Sequence, residues 1–362
     1  MEDTLIVARR GALAEFTLNR PKTLNALNDD MRGKIVAALP DFPRDPEVYA
    51  LVLRSASPRA FCAGGDVREL VALASQDYAA ACASLAFEYR MNWMLECFSK
   101  PTVSLIDGMT MGSGVGLVLY NTHRVAGPNF SFAMPETAIG LFPDVGAASV
   151  LARLPGAMGR YLGLTGRRIN RAVAYRLGLA THCIAPEKFA AITTALETAE
   201  PVDPLLDGLH QEPAPDEDDL LAMSDVLYQC FSKPTVPTII AELGERSGGD
   251  DAAASWCRSV AEDLATRCPL SLHVTLRHLD ECRELDLRET LIRDYRLAAR
   301  FRAGPDFKEG VRAVLVDKDN RPLWQHASAR EVPEIDVENM FAPLGNEELE
   351  LKTRTEMQAM RI

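Results

Sequence analysis

Residues 101–107, PTVSLID, form a short apolar run that passes directly into Gly108-Met109-Thr110-Met111-Gly112-Ser113-Gly114-Val115-Gly116. A run of this kind reads as a strand buried on both faces, which demands layers of structure above and below it. The glycine-rich turn opens a helix near 114–121. A strand, a glycine turn and a helix start leave unpaired N–H groups at the positive end of the helix dipole, a setting that stabilises a phosphate or a developing oxyanion. The spacing is not a dinucleotide fingerprint, because the third glycine would fall at Leu117. Nor is it a nucleophile elbow, since Ser113 has glycine on both sides. Close packing of a helix on the sheet is the structural alternative for these glycines.

The same alternation extends along the first 200 residues. TLIVARR and ALAEFTL read as two strands broken at Gly11, and YALVLRS at 49–55 as a second buried strand. Helical periodicity lies near 29–39 and 77–97, so strands and helices alternate as in an α/β core with largely parallel pairing. Residues 201–219 gather four prolines and seven acids, a composition that argues against helix and strand and marks a linker. Beyond it, from 220 to 362, the pattern is mainly helical, with Leu287, Leu291, Tyr295 and Ala298 on one helix face. The organisation expected is a core over 1–200, an acidic linker over 201–219 and a helical C-terminal region.

Two further segments carry chemistry. Phe61-Cys62-Ala63-Gly64-Gly65-Asp66 places two glycines between a strand and a helix, where a ligand can approach main-chain N–H groups; the structural alternative is a turn with Asp66 as N-cap. Met134-Pro135-Glu136 and Phe142-Pro143-Asp144 set two acids eight residues apart in a stretch with no basic residue from 129 to 152. Carboxyls in such company are desolvated, which raises their pKa toward the range useful for proton transfer. Asp144 has an alternative as the N-cap of a helix starting at Val145. Glu88 sits in the helical stretch 77–97, where a solvated face is the ordinary place for a glutamate. His273 and His278, five apart, fall on different helix faces and miss a metal-binding spacing, so no metal is expected. The formal charge of −12 disfavours nucleic acid and anionic membranes as partners, and no apolar run is long enough to span a bilayer. Eight scattered cysteines suit a reducing compartment, and the acidic N-terminus has no transit or signal pattern, so the cytoplasm is expected, or the mitochondrial matrix if a presequence has been removed.

FCAGGD, GMTMGSGVG and MPETAIGLFPDVG, in that order, resemble the crotonase, or enoyl-CoA hydratase and isomerase, superfamily. The resemblance extends from about residue 4 to 345. It implies an α/β crotonase (ClpP-like) spiral of ββα units, an acyl-CoA substrate, and an oxyanion hole made by the N–H groups of Gly65 and Ser113. Residues Ala63, Gly64, Gly65 and Asp66 would run beside the CoA moiety. Hydratases of this superfamily usually carry a glutamate at the end of the second motif, where this chain has Gly116. PET followed by FPD instead resembles the 3-hydroxyisobutyryl-CoA hydrolase branch, which acts in valine catabolism; Glu136 and Asp144 match its catalytic acids, and Glu88, within Glu88-Tyr89-Arg90-Met91-Asn92, its substrate-contacting acid. The C-terminal run from Asp306 to Asp319, with Pro322 and Trp324, is similar to the same branch. The resemblance thus implies thioester hydrolysis without a cofactor, CoA being part of the substrate, and allows a homo-oligomer. A hydratase or isomerase is the alternative enzyme, and a non-catalytic interaction subunit the alternative from another class. Ser113 departs from the usual glycine but keeps a main-chain donor.

Overall fold

The computed structural model describes residues 3–214 and 220–361. Among these, ten strands form two sheets: β1 (Leu5–Arg10), β2 (Leu13–Leu18), β3 (Ala50–Ser55), β4 (Ala60–Cys62), β5 (Thr102–Ile106), β6 (Met109–Met111), β7 (His123–Ala126), β8 (Ser131–Ala133), β9 (Ile169–Asn170) and β10 (His182–Cys183). The larger sheet has the order β1-β2-β3-β5-β7-β10 and the smaller β4-β6-β8-β9. β1 and β2 pair antiparallel around Gly11 at φ +55°, and every later pairing in the larger sheet is parallel.

The chain deals its strands alternately. β3, β5 and β7 enter the larger sheet, while β4, β6 and β8, each a few residues later, enter the smaller one. A helical segment follows each pair: Val67–Gln76, Ser113–Val118, and the 3₁₀ turn Glu136–Ile139. These three successive ββα turns are the crotonase spiral. The sequence reading missed β6, because Gly108 at φ +157° hides a change of sheet within what looks like one glycine turn. A Cβ at Gly108 would lie 3.0 Å from the Ala60 backbone, so only glycine lets the chain cross there.

The buried-strand reading holds because both faces of the larger sheet are covered. Leu13, Ala50, Val52, Val103 and Leu105 face one apolar cluster, and Ala14, Phe16, Leu51, Leu53 and Ile106 face the other. The first cluster also contains Val202 and Leu206, which corrects the linker expectation. Val202–Leu209 is a helix, with Pro201 as N-cap and Pro204 in the first turn, where a missing N–H costs nothing. Its apolar stripe seals the sheet, and composition alone concealed that stripe among the acids. Residues 215–219 of the proposed linker lie outside the described residues.

The C-terminal region is helical, and its helix Leu287–Ala303 buries Leu291, Tyr295 and Ala298 while packing on Tyr78–Cys97. A capping box between Asp286 and Glu289 fixes its start. The run after 304 closes on the third motif. Gly310 lies against the Ile139 backbone and Gly140 against Asp306, each so closely that a Cβ would sit 2.4 Å from a backbone atom.

Candidate active site

The smaller sheet brings the three motifs together. β4, β6 and β8 are adjacent and parallel, with Cys62 opposite Thr110 and Met111 opposite Ala133. Their C-terminal ends release Ala63–Asp66, Gly112–Ser113 and Met134–Glu136 side by side. Open α/β sheets bind ligands at this edge.

The first turn is tied down from outside. Ala63 N–H donates to Leu24 O, Leu27 N–H to Gly64 O, and Asp66 N–H to Leu27 O. Asn25 supports it, its Nδ2 donating to Phe61 O at 2.9 Å. Gly64 takes φ +112°, open only to glycine, and the N–H of Gly65 donates to no group among the described residues. The Ser113 N–H, at the first position of the helix Ser113–Val118, is likewise unclaimed, and Gly112 before it has φ +47°. The two turns touch: a Cβ on Gly65 would lie 3.0 Å from Ser113 Oγ. Asp66 occupies the N-cap position without making the cap; its carboxylate accepts from Arg20 Nη2 at 3.1 Å.

Glu136 reaches the same place. A Cβ on Gly112 would lie 2.8 Å from Glu136 Oε1, while Oε2 is buried without a partner. Burial first, and then the charge of Asp144, hold its carboxyl well above the usual carboxylate range. Asp144 does not cap a helix. The helix Ala147–Leu151 begins after Gly146, and Asp144 Oδ2 instead accepts from Tyr89 Oη at 2.7 Å. Burial and then the charge of Glu88 push Asp144 up to about 7, against the Tyr89 hydrogen bond, which lowers it. Two buried carboxyls of raised pKa, the proton of Glu136 held partly by the charge of Asp144, are suited to proton transfer.

Glu88 is 3% exposed, which overturns the solvated-face reading. Its Oε2 accepts from Nη1 of the fully buried Arg32 at 3.1 Å, and its Oε1 has no partner. Arg32 also donates to the exposed Asp29 at 2.5 Å, so the network runs from the buried Glu88 out to the surface. Sequence reasoning passed over Arg32, although it lies between the apolar positions Met31 and Ile35. It also gave no role to Tyr89 and Asn92, which share the helix Tyr78–Cys97 with Glu88 at i+1 and i+4. His278 and Asp294, buried beneath Asp144, were missed as well.

At Gly116 the geometry separates two chemistries. Asn92 Nδ2 donates to Gly116 O at 3.0 Å, and a Cβ there would lie 2.8 Å from Asn92 Nδ2 and 2.9 Å from Val145 Cβ. The position that would carry a hydratase glutamate is therefore filled by neighbours.

The family model for enoyl-CoA hydratase/isomerase matches residues 13–341. Human mitochondrial 3-hydroxyisobutyryl-CoA hydrolase is 39% identical over 355 residues, covering 96% of this chain and 90% of its own. The Arabidopsis thaliana protein 3-hydroxyisobutyryl-CoA hydrolase 1 is 36% identical over 371 residues, covering 100% and 97%. Among solved structures, a carnitinyl-CoA dehydratase from Mycobacterium thermoresistibile superposes with a TM-score of 0.89 at 36% identity, covering 97% of this chain and 99% of its own. An enoyl-CoA hydratase from Rhodobacter sphaeroides 2.4.1 gives 0.87 at 36%, covering 96% and 100%. With the sheet edge, the free N–H groups and these likenesses in agreement, this chain is a member of the enoyl-CoA hydratase/isomerase family.

Proposed function

We propose that this chain hydrolyses the thioester of 3-hydroxyisobutyryl-CoA, or of a closely related short hydroxyacyl-CoA, to the free acid and CoA. The observation that carries this reading is the pairing of Glu136 and Asp144 together with the closed position at Gly116. One carboxylate pair survives, and it is the pair of the hydrolase branch.

In the reaction, the thioester carbonyl oxygen takes hydrogen bonds from Gly65 N–H and Ser113 N–H, and Ala63, Gly64, Gly65 and Asp66 run beside the CoA moiety. Charge develops on that oxygen as the carbonyl carbon becomes tetrahedral, and each preorganised donor is worth about 10²–10³ in rate. Glu136 Oε2 either takes the proton of the attacking water or attacks the carbonyl itself to give a mixed anhydride, which water then opens. In both routes Asp144, held by Tyr89, positions the water and the C–S bond breaks; in the first the proton that Glu136 took from the water passes to the leaving thiolate, and in the second the thiolate takes a proton given up by the water that opens the anhydride. Glu88, fixed by Arg32, meets the substrate hydroxyl through its free Oε1. No cofactor beyond the CoA of the substrate takes part.

The test is thiol release from 3-hydroxyisobutyryl-CoA set against hydration of crotonyl-CoA by the same purified chain. Rapid thiol release without hydration is expected, and hydration without thiol release would overturn the reading. Oxygen-18 from labelled water entering Glu136 during single turnover selects the anhydride route, with water opening the anhydride at the glutamyl carbon. Isobutyryl-CoA, which lacks the hydroxyl, should turn over far more slowly, because a buried group built to bond an OH is left unpaired by the analogue.

The names of the vertebrate relatives place those enzymes in mitochondria. Cytoplasm or mitochondrial matrix is the compartment proposed here; both are reducing, in keeping with eight free thiols, seven of them buried. No helix among the described residues is long and apolar enough to cross a membrane.

A further inference from the structure

Directly after Asp144 the backbone adopts a conformation that its side chain disfavours. Val145, fully buried, has φ +53°, a genuine outlier for a β-branched residue, and Gly146 follows at φ +77°. Such a turn persists only where its surroundings over-determine it.

Those surroundings are specific. Tyr120 Oη donates to Val145 O at 2.8 Å, and Gly146 N–H donates to Asp294 Oδ2 at 2.6 Å. Asp294 Oδ1 is bonded to His278 Nε2 at 2.7 Å, with both side chains essentially inaccessible to solvent. Burial works against the His278 cation, but Cys282 and Asp294 beside the ring outweigh it and push it up to about 10. Burial raises Asp294, while the hydrogen bond and charge of His278 and the Gly146 N–H oppose that rise. On the other side of Asp144, Phe142 is wedged between the edge of His278, with ring centroids 5.4 Å apart, and the stacked Phe301 at 5.7 Å. A Cβ on Gly146 would lie 2.3 Å from Leu287 Cδ1 and 2.4 Å from Tyr120 Oη.

None of these groups takes part in the bond-making steps. A buried histidine–carboxylate pair is also a poor source of stability compared with apolar residues of similar volume, so its place beneath this turn calls for another role. We infer that Tyr120 and the Asp294–His278 pair are positioning residues, which clamp the strained Val145–Gly146 turn and so hold the Asp144 carboxyl on Tyr89, facing Glu136. Asp294 supplies a charge-assisted acceptor to the Gly146 N–H, and His278 fixes the direction of that acceptor. This inference rests on the reading of Asp144 as the group that places water.

The experiment compares Tyr120→Phe, Asp294→Ala, Asp294→Asn and Asp144→Asn in the full chain, measuring kcat and KM for thiol release per folded enzyme. Displacing a reacting group by about 1 Å can cost about 10²-fold. Tyr120→Phe and Asp294→Ala are therefore expected to lower kcat about 10–100-fold with KM within about twofold. Asp294→Asn, whose Oδ1 can still accept from Gly146 and whose Nδ2 can still meet His278, should stay within about threefold of wild-type kcat. A folded Tyr120→Phe chain with wild-type kcat overturns the clamp, whether or not Asp294→Ala folds. A rise in KM at constant kcat overturns it too. If Asp144→Asn keeps wild-type turnover, the reading of Asp144 fails; if it is inactive while Tyr120→Phe is wild-type, the clamp alone fails.

Discussion

Replacing Asp144 by asparagine preserves the shape of the side chain and an oxygen for the Tyr89 hydroxyl, and removes only the ability to ionise. In the fold, Asp144 is lifted from an ordinary 3.8 to about 7 by burial and by the charge of Glu88. That is a rise of about three pH units, and at about 1.4 kcal/mol per unit the folded chain bears roughly 4 kcal/mol when the group is fully ionised. The sign follows from proton binding. Between about pH 4 and pH 7 the unfolded chain has released a proton that the folded chain still holds, so this group's contribution to wild-type stability falls as pH rises through that window and levels off above it. Asparagine does not titrate. The stability of the Asp144→Asn chain minus that of wild type should therefore grow by roughly 2.5 kcal/mol from pH 5 to pH 8, whatever constant offset the substitution carries. Relief of Glu136, whose proton is held partly by the charge of Asp144, adds in the same direction. For a chain of 362 residues, an unfolding entropy of about 2.1 cal/mol/K per residue turns this into a Tm difference that widens by about 3 °C. Paired thermal melts of the two chains at matched pH values read it directly. A difference that stays flat, or that widens toward acid, would refute the reasoning, because it would mean that Asp144 is stabilised as a carboxylate in the fold. Turnover runs the other way: the variant gains stability at pH 8 and loses the group that places water.

Glu136→Gln is expected to lower kcat for thiol release about 10²–10⁴-fold with acyl-CoA affinity held within a few-fold, as for a group acting in the transition state; wild-type turnover measured in that chain would remove Glu136 from the mechanism. Ser113→Gly keeps the main-chain donor and should leave kcat within about threefold, whereas a loss of about 100-fold would assign the oxyanion contact to the hydroxyl. Arg32→Met strands Glu88 as a buried, unpaired carboxylate and should destabilise the chain by about 3–5 kcal/mol. An unchanged melting curve for that variant would show that Glu88 does not depend on Arg32 for its charge.

The parts of the molecule legible in the sequence are those governed by local rules. PTVSLID and YALVLRS lack the strict apolar–polar alternation of a half-exposed strand because both of their faces are covered, and the strands lie within a residue of where that pattern puts them. The glycines at 64 and 112 were readable as special turns because only glycine tolerates the positive φ found there. What escaped depends on partners distant in the chain. Arg32 was hidden because a lone arginine in an amphipathic helix is normally solvent-facing, and the partner that buries it lies 56 residues away. Asp294 was hidden in the same way: its two partners are 16 and 148 residues distant, and nothing in the stretch around it marks an acid as buried. The helix Val202–Leu209 shows the converse error, in which acids and prolines obscured a stripe of three or four apolar side chains sufficient to dock on a sheet.

The fold alone does not choose the reaction. Two of the structures that superpose on nearly the whole chain are described as a dehydratase and a hydratase, whereas the curated relatives over the same length are hydrolases. What distinguishes the chemistries is where carboxylates can stand around a common pair of N–H donors. In this chain a side chain at Gly116 is blocked by Asn92, whose amide is engaged with the Gly116 carbonyl, and by Val145. Val145 reaches that position only because the turn after Asp144 takes its strained form. On the proposed mechanism the same turn does two things: it holds the acid that would place water at the thioester, and it sets an apolar side chain against Gly116, where a second glutamate would stand. A substitution at Gly116 alone could not restore a hydratase site, since the incoming carboxylate would meet the Val145 methyls; converting one chemistry into the other requires rebuilding the 142–146 turn and the Tyr120, Asp294 and His278 contacts that hold it.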